Sequence, residues 1–114
     1  MHEVVLSASN LKKAYGVTAL DVSKRLIDYG IHPPTMYFPL IIDEALLIEP
    51  TETESKHSID QFIETIKHLA SKVSEGEEFF KKAPKHTPIR RLDETKAARN
   101  PVLRWKKEDV IAAE

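Results

Sequence analysis

Between residues 59 and 73 the apolar side chains come at intervals of three and four: Ile59, Phe62, Ile63, Ile66, Leu69, Ala70 and Val73. On an α-helix this spacing lays one apolar stripe along residues 55–75, and such a stripe has to be buried against another element. Thr51-Glu52-Thr53-Glu54 offers a hydroxyl followed three residues later by a carboxylate, the pairing that satisfies free backbone donors at a helix start. The sequence therefore predicts a long helix beginning there, with a sheet to cover its stripe.

Strands are available to form that sheet. Residues 3–8, Glu-Val-Val-Leu-Ser-Ala, are rich in β-branched and aliphatic side chains, as is Ala45–Glu49, which ends abruptly at Pro50. Met36–Leu40 predicts a short strand, with Pro39 confining it to an edge. Before it, His32-Pro33-Pro34-Thr35 cannot continue a helix and reads as a rigid connector. A further helix is predicted over 19–29, where Thr18 can cap the start, Gly30 can take the left-handed turn at the end, and Leu20, Val22, Leu26 and Ile27 supply an apolar face. Glu77–Lys82 predicts one helical turn around Phe79 and Phe80. The order of elements is that of an α+β domain, a mostly antiparallel sheet with helices packed on one face.

The remainder, Ala83 to Trp105, has no clear period and reads as an extended arm, so the chain divides into a domain at 1–82 and an arm and tail at 83–114. Residues 81–107 hold ten Lys and Arg against two acids, a net of +8, whereas the first eighty residues carry −6. Pro84, Pro88 and Pro101 interrupt the basic stretch, which favours a solvated extension packed on an acidic neighbour over a nucleic-acid arm. Its composition predicts an arm poorly anchored by itself, to be ordered against a larger partner with Val102, Leu103 and Trp105 as its apolar anchor.

Several chemistries are excluded or disfavoured. With no cysteine among 114 residues there is no disulfide, thiolate metal site or cysteine nucleophile. His2, His32, His57, His68 and His86 are scattered, and no metal is expected. Isolated glycines at 16, 30 and 76 cannot build a phosphate loop. Ser7, Ser9 and Ser55 have no nucleophile-elbow spacing that would suggest a hydrolytic triad. The apolar run from Tyr37 to Ile42 is far below the roughly twenty residues that cross a bilayer, and the first residues lack signal-peptide character. A cytoplasmic chain without membrane or nucleic-acid partners is the expectation.

Specific runs carry a family resemblance. His2-Glu3 ahead of an apolar strand, Asp21-Val22-Ser23-Lys24-Arg25-Leu26-Ile27-Asp28-Tyr29-Gly30-Ile31-His32, Pro34-Thr35-Met36 and Ile48-Glu49-Pro50-Thr51-Glu52-Thr53-Glu54 resemble the C-terminal part of glycine dehydrogenase (decarboxylating), the P-protein of the glycine cleavage system. The likeness continues through Ala83–Glu94 and Pro101-Val102-Leu103-Arg104-Trp105, and the Pro33-Pro34 pair and arginine-rich tail are similar to subunit 2 of the bacterial two-subunit form.

This resemblance implies the small C-terminal domain of a fold type I enzyme dependent on pyridoxal phosphate. Such an enzyme decarboxylates glycine and passes the aminomethyl group to the lipoyl arm of the H-protein. The implied partners are the large domain of the same subunit, P-protein subunit 1, lipoylated H-protein and glycine. The family's cofactor lysine follows a Ser-His-type stretch that is absent here, so no lysine of this chain is assigned that role and no catalytic residue is expected in it. The isolated chain is expected to be inactive. Candidates to face the interdomain cleft are His32, Thr35, Glu49, Thr51, Glu52, Arg90 and Arg91, the two arginines as bidentate partners for a carboxylate or phosphate. The competing reading is a free-standing α+β binding or regulatory module with a basic interaction tail.

Overall fold

Val4, Val5 and Leu6 begin a four-residue strand, β1 (Val4–Ser7), and the aliphatic run Ala45–Ile48 forms β3. Between them in the chain lies β2, only Thr35–Met36. The computed structural model describes residues 2–104. All pairings are antiparallel in the order β1-β3-β2, with Val4 opposite Ile48, Ser7 opposite Ala45, and Thr35 opposite Leu47. The central strand carries the buried residues Ala45, Leu46 and Leu47. β2 is shorter than the Met36–Leu40 expected from sequence, because Tyr37 takes a left-handed backbone (φ 58°) and turns the chain out of the ladder.

The helices are α1 (Ser9–Tyr15), α2 (Ala19–Asp28), α3 (Lys56–Ser71), α4 (Gly76–Phe80) and α5 (Glu94–Arg99), with a 3-10 turn at Val73–Glu75. In α2 the expected cap is present and reciprocal: the Thr18 hydroxyl accepts from the Asp21 N–H at 3.2 Å, and the Thr18 N–H donates to the Asp21 carboxylate at 2.9 Å. The short α1 was not foreseen. Gly16, at φ 70°, closes it by donating its N–H to the Lys12 carbonyl.

The start of α3 also differs from expectation. Thr51–Glu54 folds into a turn, with the Glu54 N–H on the Thr51 carbonyl, and Ser55 caps the helix by accepting from the Ser58 N–H at 3.1 Å. The Thr51 hydroxyl pairs with that of Thr53 within the turn and caps no helix.

The α3 stripe is covered unevenly: Phe62, Ile66 and Leu69 reach the core, and Ala70 stays exposed. Leu69 and Val73 are 2% and 4% exposed, whereas Ile59 and Ile63 are 36% and 42% exposed. The reason is length, since a helix of this size runs about 24 Å and a four-residue strand about 13 Å. The core gathers Ala8, Val17, Ala19, Val22, Leu26, Leu46, Leu69, Val73 and Phe80.

The arm is not wholly extended. Asp93 caps α5 by accepting from the Lys96 N–H at 2.8 Å. The first part of the arm is tied back: Ala83 and Pro84 are buried, and Arg91 donates to the carbonyls of Ala83 at 2.8 Å and Phe80 at 3.1 Å. The expectation of poor anchoring fails for this part because hydrogen bonds and charge pairs hold it alongside the buried Ala83 and Pro84. Beyond Arg91 the side chains of Leu92, Val102 and Leu103 are exposed. Trp105 lies outside the described residues.

Candidate functional site

The uncovered part of α3 faces a groove of about 710 Å³ that opens between it, the Pro33-Pro34 connector and the end of the sheet at Val4 and Ile48. Ile31, Leu47, Ile59, Phe62 and Ile63 supply apolar walls, and His32, Thr35, Glu49, Thr51, Glu54 and Ser58 supply polar ones. The register explains the convergence: Thr35 pairs with Leu47 on β3, and Glu49 continues β3 past its last paired residue. Two prolines before Thr35 and one after Glu49 stiffen both approaches.

Of the residues suggested by sequence, His32, Thr35, Glu49 and Thr51 thus line one groove. Glu52 sits exposed in the neighbouring turn, away from the lining, and Arg90 is exposed on the arm. Arg91 is turned inward. Among the described residues no lysine or arginine lines the groove, which on these residues suits a neutral or cationic group better than a phosphate.

At the groove's edge, one ligand atom each from His2, Glu3 and Glu49 lies within 4.8 Å of the others. Glu3 and Glu49 come together because they flank the Val4–Ile48 pair on adjacent strands. All are exposed, and water competes for any cation there.

A second constellation, missed from sequence, fastens the arm to α2. Arg25 and Asp28 form an ion pair at 2.7 Å with side chains 5% and 3% exposed. The other Asp28 oxygen accepts from the N–H groups of Lys85 at 2.6 Å and His86 at 2.9 Å. Arg25 also lies 4.4 Å from the centre of the Phe79 ring, while its Nε and Nη2 have no hydrogen-bond partner. Asp21 receives Arg91 at 2.8 Å. Burial pushes the Asp21 carboxyl upward, but the hydrogen bonds from Thr18 and the Arg91 guanidinium together outweigh it, leaving the group below its ordinary value. The spacing Asp21, Arg25, Asp28 places all of these on one helix face, which was the available signal.

A third pair steadies the sheet. The buried Glu44 carboxylate accepts from Lys12 Nζ at 2.5 Å and from the Ala19 N–H at 2.7 Å. That contact with Glu44 raises the Lys12 amine above its usual value.

Fold and groove together define a small α+β domain whose apolar groove is open on one side. Residues 1–90 match the family described as "Glycine dehydrogenase, C-terminal domain". The chain belongs to that family. A protein of Caldanaerobacter subterraneus named "Probable glycine dehydrogenase (decarboxylating) subunit 2" is 60% identical over 107 residues, covering 94% of this chain and 22% of that protein. One of the same name from Kosmotoga olearia is 54% identical over 104 residues, 91% of this chain and 22% of its own length. The chain therefore spans about a fifth of the curated relatives it matches.

Proposed function

We propose that this chain acts as the C-terminal part of subunit 2 of a glycine-decarboxylating P-protein, and that its groove forms one wall of a cleft closed by the large domain of the same subunit. The observation that carries the reading is the combination of 60% identity to a protein named for that subunit with a partly covered helix bordering an open groove. A helix that leaves Ile59 and Ile63 partly exposed over an apolar groove is one built to be covered by something further.

Pyridoxal phosphate, which supplies the electron sink in such enzymes, does not fit this groove as its own holder. Its phosphate would meet Glu49 and Glu54 and no cation among the described lining residues. On this reading the cofactor belongs to the large domain of a fold type I enzyme, and the residues here shape the cleft and exclude water. Glycine, the lipoylated H-protein and P-protein subunit 1 are the partners of the assembled enzyme, and its setting is the cytoplasm. No helix of the described residues is long and apolar enough to cross a membrane.

The test is carbon dioxide release from glycine by complete subunit 2 combined with subunit 1. Ile63→Lys, a change at a partly exposed groove position, is expected to lower kcat/KM about ten-fold or more without unfolding the domain. A subunit 2 deleted for this whole chain that still decarboxylates at the full rate overturns the reading.

A further inference from the structure

Asp28 is the last residue of α2, where the unpaired carbonyls of the helix end disfavour a negative charge. It is buried as well, with 3% of its side chain exposed. Three donors offset the cost of a carboxylate in that place: Arg25 Nη1 at 2.7 Å on one oxygen, and the N–H groups of Lys85 at 2.6 Å and His86 at 2.9 Å on the other. The two arm residues are bound through backbone alone, since Lys85 and His86 are themselves exposed. What Asp28 holds is therefore the path of the arm, whatever side chains stand there.

The chain leaves α2 directly into the groove. Gly30, at φ 72°, donates its N–H to the Ile27 carbonyl at 3.0 Å, and the Ile31 N–H reaches the Leu26 carbonyl at 3.2 Å. This paired closure fixes the direction in which a chain departs from a helix. Ile31 then packs on the core that contains Leu26. From Gly30 to Thr35 every residue lines the groove, and Pro33 and Pro34 leave that wall few ways to bend by itself. Its far end is tied to the sheet by the pairing of Thr35 with Leu47. Its near end follows the last turn of α2, the turn that Asp28 and Arg25 hold against the arm and the Phe79 ring.

The arm and the wall thus meet at one turn of helix, two residues apart at Asp28 and Gly30. With the arm away, Asp28 loses two of its three donors at a helix end that already repels it, and it has to turn toward water to replace them. Arg25 follows its partner away from Phe79, and the turn that aims Ile31 and His32 loosens. A rigid helix end joined to a proline-stiffened segment passes such a change on, because neither part can absorb it locally.

Resting on the function proposed above, we infer that the arm is a latch on the groove: docking of the Lys85 and His86 backbone on Asp28 holds the last turn of α2, and through it the Ile31–Thr35 wall, in the shape that the cleft requires. Asp28 is a positioning residue, and the arm regulates the groove although none of the described lining residues belongs to it.

Hydrogen exchange of complete subunit 2, read by mass spectrometry, tests the latch without relying on catalysis. Asp28→Ala alone strands the Arg25 charge, so the variant is Asp28→Ala with Arg25→Leu, which removes the dock and the charge together. Exchange over residues 29–36 should rise about ten-fold or more, while Leu46 and Leu47 on β3 exchange as in wild type. Ending the subunit after Pro84, which leaves Asp28 and Arg25 in place, should loosen the same wall. Lys85→Ala with His86→Ala trims exposed side chains, keeps both N–H donors and should leave the wall unchanged. A rise at the wall below about two-fold in either of the first two variants overturns the proposal. So does an equal rise at Leu46 and Leu47, which marks general loosening, or a wall loosened by the side-chain trim. The two readings fail separately: a latch that responds in an assembled enzyme releasing no carbon dioxide from glycine sinks the function alone, whereas an active enzyme whose wall ignores the arm sinks the latch alone.

Discussion

Replacing Asp28 by alanine should be among the costliest single changes in this domain. Among the described residues the carboxylate is the only ion-pair partner of the buried Arg25, at 2.7 Å, and it also accepts the N–H groups of Lys85 and His86. Its removal leaves a guanidinium that is 5% exposed with only the Phe79 ring for company, because Nε and Nη2 already lack partners. Breaking one side of a buried pair costs about 3–5 kcal/mol, a large part of the roughly 5–15 kcal/mol that stabilises a domain of ordinary size. Most of that cost comes from the stranded charge, so removing the charge as well should restore stability. The expected result for Asp28→Ala with Arg25→Leu is a loss at least about 1.5 kcal/mol smaller than for Asp28→Ala alone. Urea unfolding followed by circular dichroism measures both. A single-variant loss below about 1 kcal/mol, or a double variant no better than the single, would refute the account of the pair.

Leu26→Ala, at a core residue with 0% exposure, should cost about 2–5 kcal/mol, whereas Ile63→Ala should cost under about 1 kcal/mol because that side chain is 42% exposed; chemical denaturation of the two side by side checks the ordering. Asp21 holds its proton less tightly in the folded chain than in the unfolded one, so its contribution is present above the ordinary carboxyl value and fades as pH falls below about 4. The stability gap between wild type and Asp21→Asn should accordingly close on acidification, and a gap that is constant with pH would contradict it. Mixed with pyridoxal phosphate and dialysed, the isolated chain should retain no visible imine absorbance, and a persistent band would mean that one of its lysines holds the cofactor.

The long helix was legible because an apolar period sustained over four turns survives small errors of boundary, and Thr18 and Gly30 marked the ends of α2 by the backbone chemistry they permit. The start of α3 was misplaced for a physical reason, since Thr51–Glu54 closes a turn and the cap falls on Ser55, four residues later, a choice that the Thr-x-x-Glu pattern does not decide. Ile63 carried the same signal as Leu69 and ended 42% exposed against 2%. Periodicity reports that a face is apolar, and only the size of the sheet decides how much of it is covered.

The site was legible in part, and the division follows from how each residue is positioned. His32, Thr35, Glu49 and Thr51 converge because prolines fix the local path at both ends of neighbouring strands, a constraint that is written within a few residues of each. Arg91 was suggested as a ligand-binding cation, but its guanidinium is occupied by Asp21 and the carbonyls of Ala83 and Phe80, contacts made across 70, 8 and 11 residues of chain. A pairing at such separation has no local period. The arm's composition pointed to too little apolar surface to hold itself, yet Ala83 and Pro84 are buried at its start. What it omitted is that a backbone donor needs only one buried carboxylate, and Asp28 supplies it to two successive residues of the arm at once. The basic arm is therefore fastened to the domain by the same face of α2 that carries Arg25, which leaves the groove side of the domain free for whatever covers Ile59 and Ile63.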